Sequence, residues 1–336
     1  MDSRAADEQK YFASLPVSQY PLQVNLEFSN FCNLQCAFCI NKEPFFRTKG
    51  FASGTLIDTL ISQLPKTTIV VICGTGEPMA HPKFSHYISL LSKHFTQLYL
   101  ITNGHFLSER TINQILHSNI CKLTVSLDYF NPAKYKQEKN GDGTRAIHNV
   151  ELLLHMRKQV KKNKLQTIQI NMLAQHNNEQ DIIDAINYFS PLLGPNDYIY
   201  SRNIKTLGGL VHVKKRGHSY TWTMLDQFKE QIKNDVDISH YRTENWIKYL
   251  GLKQSLSKRL VCRHPFIYCV VLYDGRVAAC CVDFNGSLIM GDLTKQTMKE
   301  IWNGPTYQSF RTDMRAINLK KYPICVHCEE WYKYKI

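Results

Sequence analysis

A chain of 336 residues, 43% hydrophobic and 21% charged, can bury a sizeable core, as one large domain with a smaller appendage or as two medium domains. Met1 to Gln19 is polar and reads neither as a secretory signal nor as an anchor, and no later run reaches the ~18 uninterrupted apolar residues of a spanning helix, so the chain is expected to be cytoplasmic with no membrane partner. The net charge of +13 is spread over short groups (Lys158, Lys161, Lys162 and Lys164; Lys214, Lys215 and Arg216; Lys320 and Lys321) that read as solvated faces, so nucleic acid is not an expected partner, while an acidic small molecule or peptide is compatible.

From Leu22 to about Arg202 the pattern is strand, then helix, repeated. The β-rich runs are Leu22–Phe28, Thr68–Cys73, Leu98–Thr102, Lys122–Leu127, Thr167–Leu173 and Asp197–Ser201. Helical stripes lie between them: Leu56, Ile57, Leu60, Ile61 and Leu64, opened by Thr55 with Asp58; Phe84, Tyr87, Ile88, Leu91 and Phe95; Ile112, Ile115 and Leu116; Ile147, Val150, Leu153 and Leu154; Ile182, Ile183, Ile186 and Phe189. Such a run of βα units without hairpin signals gives a parallel sheet covered by helices, either doubly wound or curved into a partial barrel, with its site at the C-terminal ends of the strands. The repeat stops at Thr206 to Ser257, where Gly208-Gly209, a basic loop through Arg216 and helical runs at Trp222–Ile232 and Trp246–Leu250 suggest a linker by the substrate entrance. Trp222, Tyr241 and Trp246 are expected as core or cover. Beyond it, Ile267–Tyr273 and Arg276–Cys280 flank Asp274-Gly275, a hairpin signal, and a helix from Thr294 to Trp302 should stop at Asn303-Gly304-Pro305.

Eleven cysteines are too many, and odd in number, for a disulfide framework in a reducing compartment; metal–sulfur chemistry is the better account. Cys32, Cys36 and Cys39 follow the first strand directly and supply three ligands where a closed site needs four; the nearest other donors, Glu43 and His81, are poorly placed. A cubane cluster with one iron left open fits, and a three-cysteine zinc site is the alternative. The C-x3-C-x2-C spacing, with Phe38 before the last cysteine, resembles the cluster loop of radical S-adenosylmethionine (SAM) enzymes. That resemblance implies a curved sheet forming part of a (β/α)8 barrel, here a partial (β/α)6 barrel. It also implies a 4Fe–4S cluster whose open iron is chelated by SAM, and reductive cleavage of SAM to a 5′-deoxyadenosyl radical. The loops after the later strands agree. Gly74-Thr75-Gly76-Glu77-Pro78 is similar to the family's glycine-rich SAM loop, with Glu77 able to accept from an ammonium group. Asn103, Ser126 with Asp128, and Asn171 are further candidates for SAM contact, ordinary turn chemistry being the alternative for Ser126 and Asp128.

A second constellation comprises Cys262, Cys280, Cys325 and Cys328. With Gly275, the run Gly291-Asp292-Leu293 and Ile301-Trp302-Asn303-Gly304, these residues resemble the SPASM or twitch region of radical SAM proteins. No cysteine follows Cys328, which implies one auxiliary 4Fe–4S cluster, in the twitch form; a four-cysteine zinc knuckle is the alternative. Four cysteines are left over. Cys73 falls near the cofactor loop and Cys121 in the core, while Cys281 is a candidate hydrogen donor to a substrate radical, ahead of Cys269, and alternation sets it on the face opposite Cys280.

The expected organisation is an N-terminal extension (1–21), a radical SAM core (22–205), a helical linker and substrate region (206–257) and a small α+β iron–sulfur domain (258–336). The expected function is a radical SAM oxidoreductase or maturase. A first strand near residue 22 favours a small polar substrate such as an aminocyclitol or sugar over a peptide held by a leader domain, and the resemblance implies an electron donor such as flavodoxin or ferredoxin. Rival readings are an epimerase with a thiol donor, an RNA-modifying radical SAM enzyme, and a non-enzymatic zinc-binding protein.

Overall fold

The computed structural model describes residue 14 and residues 16–42, 47–174, 178–202, 241–243, 261–326 and 328. The helical runs expected within 206–257, with Trp222 and Trp246, and Glu43 lie outside the described residues, whereas Tyr241 falls on a strand.

Ten strands form one sheet: β1 (Gln23–Glu27), β2 (Ile69–Cys73), β3 (Leu98–Thr102), β4 (Ile120–Asp128), β5 (Thr167–Leu173), β6 (Tyr198–Arg202), β7 (Tyr241–Thr243), β8 (Tyr268–Val271), β9 (Arg276–Ala278) and β10 (Ile289–Asp292). Their order is β10-β9-β8-β1-β2-β3-β4-β5-β6-β7. Every pairing from β8 to β7 is parallel, and β8, β9 and β10 are antiparallel. Two features depart from the sequence expectation. The short strand β7 lies where a helical linker was expected, since three residues are too few to carry a period-two signal. The C-terminal hairpin also extends the main sheet, because β8 lies alongside β1 with Val24 opposite Cys269.

Helices α1 (Gly54–Gln63), α2 (Phe84–His94), α3 (Glu109–Leu116), α4 (Pro132–Lys139), α5 (Gly143–Gln159) and α6 (Glu179–Phe189) follow successive strands, α4 and α5 both lying between β4 and β5. Helix α1 is capped by Ser53, whose side chain accepts from the Leu56 N–H, and not by the Thr55–Asp58 pair. Helix α4 has no apolar stripe to announce it. It rests on Pro132 at its start and on Asn131, which caps the N–H groups of Ala133 and Lys134. In the C-terminal part, α7 (His264–Ile267), α8 (Met298–Asn303), α9 (Pro305–Arg315) and α10 (Pro323–Val326) surround the hairpin. Helix α8 starts later than expected, at a capping box formed by Thr297 and Glu300, and stops at Gly304.

Period-two alternation gives the sheet two unlike faces. Val24 and Leu26 of β1, Leu123, Val125 and Leu127 of β4, and Ile168, Ile170 and Met172 of β5 are all 0% exposed in the apolar core. Burial of each contributes about 1.5–3 kcal/mol. The alternate positions Asn25, Glu27, Cys73, Ser126, Leu173 and Arg202 face the other way and line a cavity at the C-terminal strand ends. Polar residues at these positions add little to the core, and there they form the wall of a site.

Candidate active site and metal centres

The cavity has a volume of about 480 Å³ and brings together residues far apart in the chain. Cys32, Cys36, Cys39, Gly74, Thr75, Gly76, Glu77, Asn103, Ser126 and Asp128 all line it, with Cys73, Cys280 and Cys281. Asn171 does not. It is buried beside Ser126 in the register and accepts a hydrogen bond from Gln169 at 2.6 Å, so its amide is turned along the sheet.

The cysteine loop is held from below by α4, a support that its own residues do not reveal. The Ala37 N–H donates to the Glu138 carbonyl at 2.6 Å and the Gln35 N–H to the Lys139 carbonyl at 3.3 Å, which also satisfies carbonyls of the helix's last turn. Donors converge on the sulfurs: Leu34 N–H on Cys32 at 3.5 Å, Asn41 N–H on Cys39 at 3.4 Å, and the Asn103 amide on Cys32 at 3.9 Å. Burial nevertheless pushes the Cys32 thiol up to about 11 and the Cys36 thiol up to about 12, and raises Cys39 as well. The protein alone does not stabilise thiolates here, and a bound cationic centre has to do so.

Spacing tests what kind of centre fits. Among the described residues, the trio of potential ligands whose donor atoms all lie within 4.8 Å of one another is His264, Cys280 and Cys281. The thiols of Cys32, Cys36 and Cys39 are therefore spread more widely than the ~3.8 Å edge that zinc–sulfur bonds of ~2.3 Å impose on a tetrahedral site. At least one pair of the three sulfurs is thus too far apart for a closed zinc site as they stand.

The glycine loop is fitted against this one. Gly74 has φ +144°, and a Cβ on Gly76 would lie 2.2 Å from the Phe31 carbonyl oxygen. Hydrogen bonds from Gly76 N–H to Ser29 and from Glu77 N–H to Phe31 join the two loops. Glu77 is 2% exposed, and its carboxylate accepts from the N–H groups of Met79 (3.0 Å) and Asn103 (2.7 Å) and from the Thr102 hydroxyl (2.8 Å). It staples the loop after β2 to the end of β3. Burial raises its carboxyl, against those three donors.

Two buried ion pairs complete the wall, and sequence reasoning missed most of their members. Arg47 grips Glu27 through two bonds of 2.7 and 2.8 Å and donates to the Phe284 carbonyl, while Glu27 also accepts from Thr75. This joins β1, the glycine loop and the C-terminal part. Asp128, at φ +67° after an irregularity at the end of β4, pairs with Lys139 at 2.8 Å and Arg202 at 3.4 Å. Burial alone would raise the Asp128 carboxyl, but Lys139 and Arg202 outweigh it and hold it below the usual range. Period two on β1 and β6 could have found Glu27 and Arg202. Lys139, on a polar helix, gave no signal.

Cys262, Cys280, Cys325 and Cys328 line a second, smaller cavity together with His264 and the apolar side chains of Val282, Leu288, Phe310 and Met314. The hairpin turns at Gly275 (φ +90°), β9 ends at Ala278, and Cys280 and Cys281 follow in a turn. Alternation therefore no longer applies to them. Both sulfurs lie within 4.8 Å of a ring nitrogen of His264, and both residues border the main cavity, not opposite faces as expected. The Tyr268 hydroxyl donates to Cys281 at 3.1 Å. Cys280 borders both cavities. Cys269 is 0% exposed in the core and does not reach either, whereas Cys121 is partly buried with its thiol on the Leu98 carbonyl.

Family models match the chain twice, the radical SAM superfamily over residues 26–189 and the SPASM iron-sulfur cluster-binding domain over residues 262–329. The two matches together are those of a radical SAM enzyme with a C-terminal SPASM domain, and they imply a SAM-binding 4Fe–4S cluster, an auxiliary cluster and SAM as cofactors. It is 27% identical over 175 residues to a GTP 3′,8-cyclase of Limosilactobacillus fermentum, covering 49% of each chain. It is 29% identical over 91 residues to the SAM-dependent 2-deoxy-scyllo-inosamine dehydrogenase of Niallia circulans, covering 25% of this chain and 36% of that one. The chain thus spans about half the length, or less, of these curated relatives. In fold it resembles Streptococcus suis SuiB bound to precursor peptide SuiA, with a TM-score of 0.65 at 15% identity over 92% of this chain and 70% of that chain. No helix of the described residues is long and apolar enough to cross a membrane.

Proposed function

We propose that this radical SAM enzyme dehydrogenates a small polar substrate such as an aminocyclitol or sugar, with Cys32, Cys36 and Cys39 holding the SAM-binding cluster and Cys262, Cys280, Cys325 and Cys328 the auxiliary one. When bound, these groups supply a 5′-deoxyadenosyl radical that takes a hydrogen atom from carbon and an acceptor for the second electron. The residues do the rest. Gly74 to Glu77, Asn103, Ser126 and Asp128 line the space for SAM, and the Glu27–Arg47 pair anchors Thr75 of that glycine loop to β1. Leu34, Phe38, Ile40, Val270 and Leu272 exclude water around the reacting carbon.

The observation that carries the oxidative reading is Cys280, which borders both cavities and so sets the auxiliary site against the substrate space. The dehydrogenase relative supports it, as does a cavity of about 480 Å³, the size of a small-molecule site. The test is anaerobic turnover with SAM, a reductant and a panel of aminocyclitols and sugars, run with unlabelled substrates in deuterated water and with carbon-deuterated substrates in ordinary water. A product two hydrogens lighter, with substrate deuterium recovered in 5′-deoxyadenosine, is expected. A second reading, epimerisation, rests on the exposed Cys281 in the same cavity. It predicts a product of unchanged oxidation state carrying one solvent deuterium, and that result would overturn the first.

A further inference from the structure

We infer that the outer side of the cysteine loop is the docking surface for an acidic one-electron carrier protein. The proposal rests on the radical SAM reading, because the electron has to arrive at the centre held by Cys32, Cys36 and Cys39. The cavity side of that loop is committed to cofactor and substrate. Its other side carries an apolar patch. Phe31, next to Cys32, is 48% exposed, and Phe51 is 41% exposed, with their rings 6.2 Å apart. The two rings are not loose ornaments of a turn: a bridge from Ser29 to Phe51 and bonds between Asn30 and Gly50 fix them beside the loop. Few large apolar side chains are exposed among the described residues, and here two adjoin, as at an interaction site.

The charge around the patch indicates the partner. Lys49 is exposed, and its ammonium group donates to the Asn30 carbonyl and the Asn41 side chain, whose backbone N–H in turn meets the Cys39 sulfur. Lys83 is exposed two residues beyond His81, whose ring packs on Phe51 at 5.3 Å. An aromatic centre between lysines, on a chain of net charge +13, suits a partner with an acidic rim around an apolar centre. In the step served by this surface, the reduced carrier loses one electron and the centre behind Cys32, Cys36 and Cys39 gains it. No atom is transferred.

The experiment uses anaerobic holoenzyme, reduced flavodoxin as the carrier and dithionite as a carrier-independent reductant. Loss of the cluster's visible absorbance gives the reduction rate, and calorimetry with oxidised flavodoxin gives Kd at two salt concentrations. The variants are Lys83→Glu and Phe51→Ser, which leave the cysteine loop and Lys49 untouched. The proposal expects reduction by flavodoxin to slow about tenfold or more, and Kd to weaken with salt and with charge reversal. Reduction by dithionite and SAM cleavage driven by it stay at the wild-type level. Wild-type rates with flavodoxin in both variants overturn the docking surface. Equal losses with both reductants also overturn it, since the patch is then structural, and so does a wild-type dimer that the variants dissolve. A wild-type protein that neither reductant reduces instead removes the radical SAM reading beneath it.

Discussion

Replacing Lys139 with methionine tests whether the Asp128–Lys139 pair is what holds the cysteine loop in place. Lys139 is 1% exposed and Asp128 2%, they meet at 2.8 Å, and the ammonium group also donates to the carbonyls of Ser126 and Leu127. Removing one partner of a buried pair costs about 3–5 kcal/mol, because the other charge stays behind unpaired. Arg202 retains a contact of 3.4 Å with Asp128, though it is 30% exposed, so the lower end, about 3 kcal/mol, is expected. The double variant Asp128→Asn, Lys139→Met should cost less than the sum of the singles by roughly 2 kcal/mol. The assay is the urea midpoint at matched slope, with iron counted after gel filtration, since the last turn of α4 holds Gln35 and Ala37. The sign of the pH dependence follows from the depressed Asp128 carboxyl and the raised Lys139. The pair's contribution is complete above the ordinary aspartate value of 3.8 and below the ordinary lysine value of 10.5. It is lost only as pH falls through the depressed value or rises through the raised one. The difference between wild type and variant should therefore be flat around neutrality and shrink in acid. A cost under about 1 kcal/mol, additive singles, or full iron retention would refute the reasoning.

Three further outcomes are expected. Replacing Cys32, Cys36 and Cys39 together with alanine should abolish 5′-deoxyadenosine formation while leaving the auxiliary cluster's spectrum; retained cleavage would remove the ligand assignment. Replacing Cys325 and Cys328 should lower iron to about half, from two four-iron clusters to one, and stop product formation while some unproductive SAM cleavage continues; unchanged iron would show that these thiols bind no cluster. Gly76→Ala should cost about 1–3 kcal/mol by overpacking, because its Cβ would stand 2.2 Å from the Phe31 carbonyl oxygen, and should weaken SAM binding in equilibrium dialysis. Wild-type affinity there would show that the two loops part easily.

What was legible in the sequence follows from how strongly each residue is constrained locally. The parallel strands could be read because both of their faces bear on structure, one packed in the core and the other lining the cavity, and their edges fell within a residue or two of Leu22, Thr68 and Asp197. The cysteine motifs could be picked out because their spacing is itself a local pattern, and the fold brings Cys32, Cys36 and Cys39 to one cavity and Cys262, Cys280, Cys325 and Cys328 to another. Lys139 could not. Its helix, Pro132–Lys139, is mostly polar with no apolar stripe, and the charge matters only because the fold brings the helix end beneath the cysteine loop. Arg47 was hidden for the same reason, its partners being Glu27 and Phe284. The reading of Cys281 failed differently: alternation was carried three residues past Ala278, where the strand had already ended.

That failure changes how the two exits for a substrate radical have to be told apart. If Cys280 and Cys281 faced opposite ways, removing Cys281 would test the hydrogen-donor role without touching the auxiliary site. They do not face apart: both sulfurs lie within 4.8 Å of a ring nitrogen of His264, and the Tyr268 hydroxyl that donates to Cys281 also meets His264 at 2.9 Å. A Cys281→Ala change therefore alters the surroundings of Cys280, and loss of product in that variant is expected for an oxidase as well as for an epimerase. The isotope record has no such ambiguity. Oxidation removes two hydrogens from the substrate and adds none from solvent, whereas thiol capture leaves one solvent deuterium on carbon at unchanged oxidation state. Because Cys280 borders the main cavity in its own right, the oxidative exit needs no residue beyond those proposed to hold the auxiliary cluster.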